Sequence, residues 1–109
     1  MIRKNREREL RGILENFYNL PLFHQDNFCI IKSVIQNYFN ENVYVYGSFY
    51  WGYWDEKSDY DVFIRHRDTK DPKKEVFDVF NDMKSVLKNK HNLNVDIMMI
   101  REEIGILIP

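Results

Sequence analysis

The run DYDVFI at residues 59–64 limits what this 109-residue chain can fold into more than any other segment does. Polar and apolar residues alternate from its first position, which is typical of a β-strand with one face in the core. Asp59 and Asp61 then share one face, with attachment points roughly 6.5–7 Å apart. The core-facing side is predicted to consist of Tyr60, Val62 and Ile64. The strand therefore holds two like charges close together, which is unfavourable unless a cation lies between them. The pair alone fits either a solvated edge strand or a metal site.

Helical and strand-like segments alternate around this strand. Apolar spacing predicts helices over residues 3–18, from a cap at Asp26 to residue 39, over about 71–89, and, in a short form, from Ser48. β-Branched and aromatic runs predict strands at residues 43–46, 59–64 and 94–100. The order ααβαβαβ favours an α/β (α+β) fold, a small mixed sheet with helices packed on it. We expect one domain over residues 1–109, with N-terminal helices in 1–40 and the core of the fold in 43–100.

The composition gives little reason to expect a nucleic-acid or membrane partner. Lys and Arg total 16 against 17 Asp and Glu, a formal net charge of −1, so no strong field favours an anionic polymer. No apolar run approaches the ~20 residues of a spanning helix, and the N-terminal residues lack the apolar core of a signal peptide. A lone Cys29 suits a reducing compartment. We therefore expect a cytoplasmic protein.

A third acid, Asp96, lies in the otherwise apolar run VDIMMI of the last predicted strand. An ionised carboxylate among apolar neighbours is costly unless something compensates it. It can lie near a strand end in water, or cap a neighbouring turn. If its strand instead lies beside the Asp59 strand, three carboxylates converge and can hold two metal ions. Mg²⁺, a hard dication that prefers oxygen ligands, is the best match to such a set.

Gly47 and Ser48 directly follow the predicted strand at residues 43–46. A glycine lets a phosphate approach the backbone closely, and the start of a helix favours an anion. A serine hydroxyl can add a hydrogen bond. Gly-Ser is also common in ordinary turns, so the pair alone does not decide between a phosphate site and a turn.

The ordered set of these residues resembles the signature of the DNA-polymerase-β-type nucleotidyltransferase superfamily. The shared pattern, G-S-x3-G-x5-S-D-x-D, consists here of Gly47, Ser48, Gly52, Ser58, Asp59 and Asp61. The resemblance covers roughly residues 43–100 and is closest to the small branch called minimal nucleotidyltransferases. Members often carry a basic residue just before the second glycine, where this chain has Trp51.

This resemblance implies a polymerase-β-like fold and a transferase chemistry. A nucleoside monophosphate, AMP from ATP in the expected case, would pass to a hydroxyl acceptor, and pyrophosphate would leave. Carried over by the match, Gly47 and Ser48 would hold the triphosphate, and Gly52 and Ser58 complete the nucleotide-binding set. Two Mg²⁺ ions and the catalytic step would depend on Asp59, Asp61 and Asp96. Asp96 would ligate the catalytic metal and help to activate the acceptor hydroxyl.

The acceptor stays open at this point. The resemblance implies an antitoxin role, in which a tyrosine of a partner toxin of the HEPN ribonuclease type is modified. RNA or a small molecule such as an antibiotic is an alternative acceptor. A different class of function is a non-catalytic module that neutralises a partner by contact, through the aromatic residues of 49–54 and the apolar tail of 104–108. The same aromatic residues can instead stack on a base or pack the short helix onto the sheet, and the tail can cover its own sheet.

Overall fold

The computed structural model describes residues 11–65, 74–100 and 104–109. A 3₁₀ turn at Phe17–Asn19 precedes the regular elements. The helices are α1 (Leu22–Gln36), α2 (Gly47–Trp51) and α3 (Lys74–His91). The strands are β1 (Tyr44–Tyr46), β2 (Tyr60–Arg65), β3 (Val95–Ile100) and β4 (Ile106–Leu107). Across the described residues, no helix combines the length and the apolar character that crossing a lipid bilayer requires.

The four strands form one mixed sheet in the order β3-β2-β1-β4. β1 runs antiparallel to both β2 and β4, whereas β2 and β3 are parallel. A parallel pair needs a long crossover connection, and α3 lies in the connection between β2 and β3. The predicted α+β fold, a small mixed sheet with helices packed on it, is confirmed.

The hydrophobic core lies on the face of the sheet that α1 and α3 cover. Residues of β2 predicted to face inward are buried there: Tyr60, Val62 and Ile64. The helices contribute large side chains that are fully buried, among them Phe28, Ile31, Ile35, Met83 and Leu87. Because neighbouring residues of a strand point to opposite faces, Asp61 must lie on the other side of the sheet.

The N-terminal helix predicted over residues 3–18 is wrong for the part that the structure describes. Residues 11–16 are not helical, and residues 3–10 lie outside the described range. Gly12 has a φ of +83°, a left-handed conformation that ends a right-handed helix. The backbone N–H groups of Arg11 and Leu14 donate to the carbonyls of Gly52 and Tyr50, at 2.8 Å each. This segment therefore docks on the chain around α2.

Helix α1 begins at Leu22, four residues before the cap expected at Asp26, and its N-cap residue is Pro21. Proline fits a helix start because its missing N–H would have no intrahelical partner there. The earlier start brings His24 into the buried face of the helix. The cap predicted at Asp71 and Pro72 lies outside the described residues.

The apolar C-terminal tail covers its own sheet, one of the two outcomes left open by the sequence. Ile106 pairs with Val45, the Ile108 N–H donates to the Val43 carbonyl at 2.9 Å, and Ile108 is 1% exposed. Strand β4 is thus an addition to the predicted order ααβαβαβ. Only two of its residues are in strand conformation, too few for period-2 alternation to be read in the sequence.

Candidate active site

The Gly-Ser pair and the acids meet where β1 ends and β2 begins. Tyr46, the last residue of β1, pairs in register with Asp61 of β2, so the next residue, Gly47, lies against the Asp61 carboxylate. A Cβ atom at Gly47 would overlap that carboxylate, and the φ of Gly47 is +66°. Only glycine fits both conditions without strain. α2 starts here as predicted, although its five residues give it only a small dipole.

Asp61 and Asp96 are direct neighbours in the parallel β2–β3 pair, in register with each other. They share the face of the sheet opposite the helices, so the strands of these two acids lie side by side, one of the outcomes left open by the sequence, while Asp96 also remains exposed to water as the other outcome required. Asp59 immediately precedes β2. Burial, followed by the negative charges of Asp96 and Asp59, raises the pKa of Asp61 above its usual 3.8. Asp59 and Asp96 are therefore both close enough to repel the Asp61 carboxylate.

A lysine from α3 supplies positive charge to this acid set. Lys84 Nζ lies 3.6 Å from Asp96 Oδ1. Lys84 and Lys88 lie one helical turn apart, and both face a groove of about 400 Å³. The groove is lined by Asp59, Lys84, Lys88, Leu93, Asn94, Val95 and Asp96.

Asp59, Asp61 and Asp96, the acid set, carry the type of ligand that divalent metal ions prefer, although their carboxylates do not already converge on one position. Among residues 11–65, 74–100 and 104–109, no three His, Cys, Asp or Glu side chains stand close enough to hold a metal ion. Carboxylate oxygens are the ligands that Mg²⁺ prefers. The Lys84 ammonium already acts as a cation at Asp96, and Asp96 and Asp59 are exposed and have room to rotate. A hard dication is therefore a chemically suitable partner for Asp59, Asp61 and Asp96.

The other two motif residues, Ser58 and Gly52, contact the protein itself. The Ser58 hydroxyl accepts from the Asp55 N–H at 2.8 Å and lies 3.2 Å from Asp55 Oδ1, which shapes the turn before β2. Gly52 is the left-handed C-cap of α2, and a Cβ there would overlap the Gly12 backbone. These contacts give both residues structural roles, and their predicted part in nucleotide binding stays a prediction.

The aromatic residues of the motif divide into two groups. Phe49 is buried and stacks between Trp54 and Tyr60, with ring centroids 5.2 and 5.0 Å away. The Arg11 guanidinium lies 3.8 Å from the centre of the Trp54 ring. This first group packs α2 onto the sheet and the N-terminal segment. Packing of the short helix onto the sheet was one of the roles that the sequence left open for these aromatic residues.

The second group is a half-buried cluster beside the acids, formed by Tyr46, Tyr50 and Trp51. Tyr46 stacks on Tyr50 at 6.0 Å, and Tyr50 meets Trp51 edge-on at 4.9 Å. Sequence reasoning did not single out Tyr46, Lys84 or Lys88. A usable signal existed for the lysines, because α3 and β3 are joined by only residues 92–94, so the end of α3 must lie beside the start of β3.

A buried polar cluster lies behind the strand on the helix side. Asn27 Nδ2 donates to the Tyr60 hydroxyl at 2.7 Å, and that hydroxyl is 2.7 Å from His24 Nδ1. Burial, with a smaller effect of the Arg11 charge, lowers the pKa of His24 below 6.5. The Tyr60 hydroxyl, which accepts from Asn27, can donate a hydrogen bond to Nδ1 of neutral His24. His24, Asn27 and Tyr60 also line a groove of about 240 Å³ that reaches Asp59.

The lowered pKa of His24 gives a stability prediction. As the pH falls below about 6.5, the unfolded chain takes up a proton that folded His24 resists, so we expect the free energy of unfolding to fall with it. His24→Gln should flatten this part of the pH profile, measured by urea unfolding. His91→Gln, a change at an exposed position, is the control. Equal slopes in wild type and His24→Gln would contradict the assignment.

Comparison with known families agrees with this geometry. A family model described as polymerase beta, nucleotidyltransferase, matches residues 30–108. Searches of curated proteins and of solved structures found no significant match. The matched region holds the whole sheet, the Gly47–Asp61 contact and the Asp61–Asp96 pair. Because the match extends over more than half of the chain, the protein belongs to the polymerase β nucleotidyltransferase family.

Proposed function

We propose that this protein transfers a nucleoside monophosphate, AMP from ATP, to a hydroxyl group in a magnesium-dependent reaction. The observation that carries the proposal is the pairing of Asp61 with Asp96 in register, with Gly47 against the Asp61 carboxylate. It joins an acid set to a backbone that phosphate can approach closely. The pattern formed by Gly47, Ser48, Gly52, Ser58, Asp59 and Asp61 also resembles that of the minimal nucleotidyltransferase branch, which is the branch that we propose.

Each residue of the site has a role in this proposal. Asp59, Asp61 and Asp96 would hold two Mg²⁺ ions, which would supply neutralisation of the charge on the triphosphate and on the leaving pyrophosphate. Gly47 keeps the space beside Asp61 free of a side chain, and the Ser48 hydroxyl is available to donate to a phosphate oxygen. Gly52 stabilises the C-terminal end of α2, and Ser58 stabilises the turn before β2. Their proposed role in nucleotide binding is to hold the backbone of these two segments in position.

The proposed reaction is an in-line substitution at the α-phosphorus. The acceptor oxygen forms a bond to that phosphorus while the bond to the bridging oxygen of the β-phosphate breaks. Pyrophosphate leaves with the electron pair of that bond. The acceptor hydroxyl gives up its proton, for which a carboxylate oxygen of Asp96 is the nearest base on the acceptor side in this proposal.

The aromatic cluster of Tyr46, Tyr50 and Trp51 is the proposed contact for the base. Tyr46 directly precedes Gly47 and pairs with Asp61. In this proposal its ring is therefore near enough to the phosphate position for the base of the same nucleotide to contact it. Stacking on an aromatic ring accepts any base. The cluster therefore supports nucleotide binding without selecting ATP over the other triphosphates.

A protein hydroxyl, such as a tyrosine of a HEPN-type toxin, is the acceptor that we propose. The net charge of −1 does not favour RNA. Tyr18, Leu22 and Phe23 are large apolar side chains more than 60% exposed, and Phe23 lines the groove that reaches Asp59. Exposed apolar surface of this kind is typical of protein-binding sites. The proposed location is the cytoplasm, which the single Cys29 suits.

The same apolar surface supports the second candidate, a module that neutralises a partner by contact alone. The apolar tail no longer adds to that candidate, because Ile106 and Ile108 belong to the protein's own sheet and core. The two functions differ in their dependence on the acids. Contact alone should survive loss of Asp59 and Asp61, whereas transfer should not.

A labelling experiment tests the proposal. The protein would be incubated with a host-cell extract and ATP labelled at either the α- or the γ-phosphate. We expect label from the α-position only, in protease-sensitive material, and a loss of at least about 100-fold in the Asp59→Asn/Asp61→Asn variant, the scale of losing a key electrostatic contact. Label from the γ-position would instead show phosphoryl transfer. RNase-sensitive or small-molecule label would change the acceptor, and absence of label would favour contact alone.

A further inference from the structure

Lys84 reaches across from α3 to an acid that the reaction is proposed to need. Its ammonium is 3.6 Å from Asp96 Oδ1, and the two side chains are 39% and 64% exposed. Lys88 faces the same groove one turn further along. Within the described residues, Asp96 is the only carboxylate in an ion pair with Lys84, and Lys88 has none.

The ion pair involves one of the two acids that are paired in register on neighbouring strands. Asp96 is the strand neighbour of Asp61, and like charges on neighbouring strands repel. Lys84 and Asp96 line the same groove, so the Asp96 carboxylate has a cation beside it there. A dication between the two acids would need the same Asp96 oxygens.

We propose that Lys84 is a positioning residue that holds Asp96 in the metal-free protein and competes with the divalent metal ion for it. This inference rests on the proposed function, because it requires that Asp96 be a metal ligand. Metal binding then exchanges one cation for another at Asp96 and leaves the Lys84 ammonium free in the groove beside Lys88. The lysine thus lowers metal affinity and gives Asp96 a counter-charge between reactions.

The test measures metal affinity rather than activity. Mn²⁺ alone serves as the probe, and its free concentration is followed by electron paramagnetic resonance in wild-type protein and in four variants. Lys84→Gln removes the pair, and Lys84→Arg keeps a cation that can reach Asp96. Lys88→Gln removes an equal charge from the same groove without breaking the pair. Asp61→Asn removes the proposed metal site.

We expect Lys84→Gln to bind Mn²⁺ about two- to fivefold more tightly than wild type, since exposed ion pairs are weak. Lys88→Gln should change affinity less, and Lys84→Arg should stay near wild type. Equal effects of Lys84→Gln and Lys88→Gln would overturn the inference and leave the metal site intact, provided that Asp61→Asn abolishes binding. Mn²⁺ binding that is absent throughout, or unchanged in Asp61→Asn, would overturn the proposed function as well.

Discussion

Replacing Gly47 with alanine is expected to lower the free energy of unfolding by about 1–3 kcal/mol, the usual cost of a strained backbone position, and to abolish Mg²⁺-dependent ATP binding. The added methyl group meets two obstacles at once. The φ of +66° is unfavourable for any L-residue with a side chain, and the new Cβ would overlap the Asp61 carboxylate. Asp61 must then move, and misplacement by about 1 Å can cost a reaction on the order of 100-fold in rate.

Gly12→Ala is the matched control for this change. Gly12 also has a left-handed φ, +83°, but a Cβ added there meets no atom within 4 Å. It therefore carries the backbone cost without the collision. Urea unfolding and ATP titration of both variants separate the two effects. If Gly47→Ala bound ATP as well as Gly12→Ala did, the Gly47–Asp61 contact would not matter for the site.

Asp61→Asn is expected to make the metal-free protein more stable. The raised pKa of Asp61, which burial and then the Asp96 and Asp59 charges cause, means that folding disfavours the ionised form. Above pH 3.8 the Asp61 carboxyl ionises more readily in the unfolded chain than in the folded chain, so folding carries a cost at this position that asparagine avoids. The wild type regains stability relative to the variant as the pH falls through the raised pKa, because protonation removes the cost.

Chemical unfolding without Mg²⁺ measures this difference. Asp78→Asn, at an exposed position on α3, removes the same charge away from the acid set and should leave stability nearly unchanged. A lower stability of Asp61→Asn than of wild type would show that Asp61 stabilises the metal-free fold. A stability cost borne by a functional carboxylate is common at sites that await a ligand.

Much of the sheet could be predicted from the sequence because its signals are local. The alternation around Asp61 fixes which side chains share a face, and the apolar stripe of α3 places a crossover helix between two parallel strands. Once β2 and β3 are neighbouring parallel strands, Asp61 and Asp96 come side by side. The Gly-Ser pair at the end of β1 then places Gly47 beside these two acids.

The remaining features depend on contacts between distant parts of the chain. Residues 11–14 are not helical because the backbone N–H groups of Arg11 and Leu14 donate to the carbonyls of Gly52 and Tyr50 instead of to a helix of their own. β4 forms because Val43 and Val45 leave one edge of β1 open for pairing. A strand of two residues is too short to be predicted from the sequence. The short connection over residues 92–94 places the end of α3 beside the start of β3, but which lysine reaches Asp96 depends on how α3 packs on β3.

The most direct test of the acid set as a metal and nucleotide site is calorimetric titration of ATP into wild type and Asp61→Asn, each with and without Mg²⁺. We expect binding only by wild type and only with Mg²⁺, and a loss of at least about tenfold in affinity in the variant, as expected for removal of a charged group at a binding site. Equal binding by Asp61→Asn would contradict the assignment of Asp61. Failure of a folded wild type to bind ATP with Mg²⁺ would contradict the site as a whole.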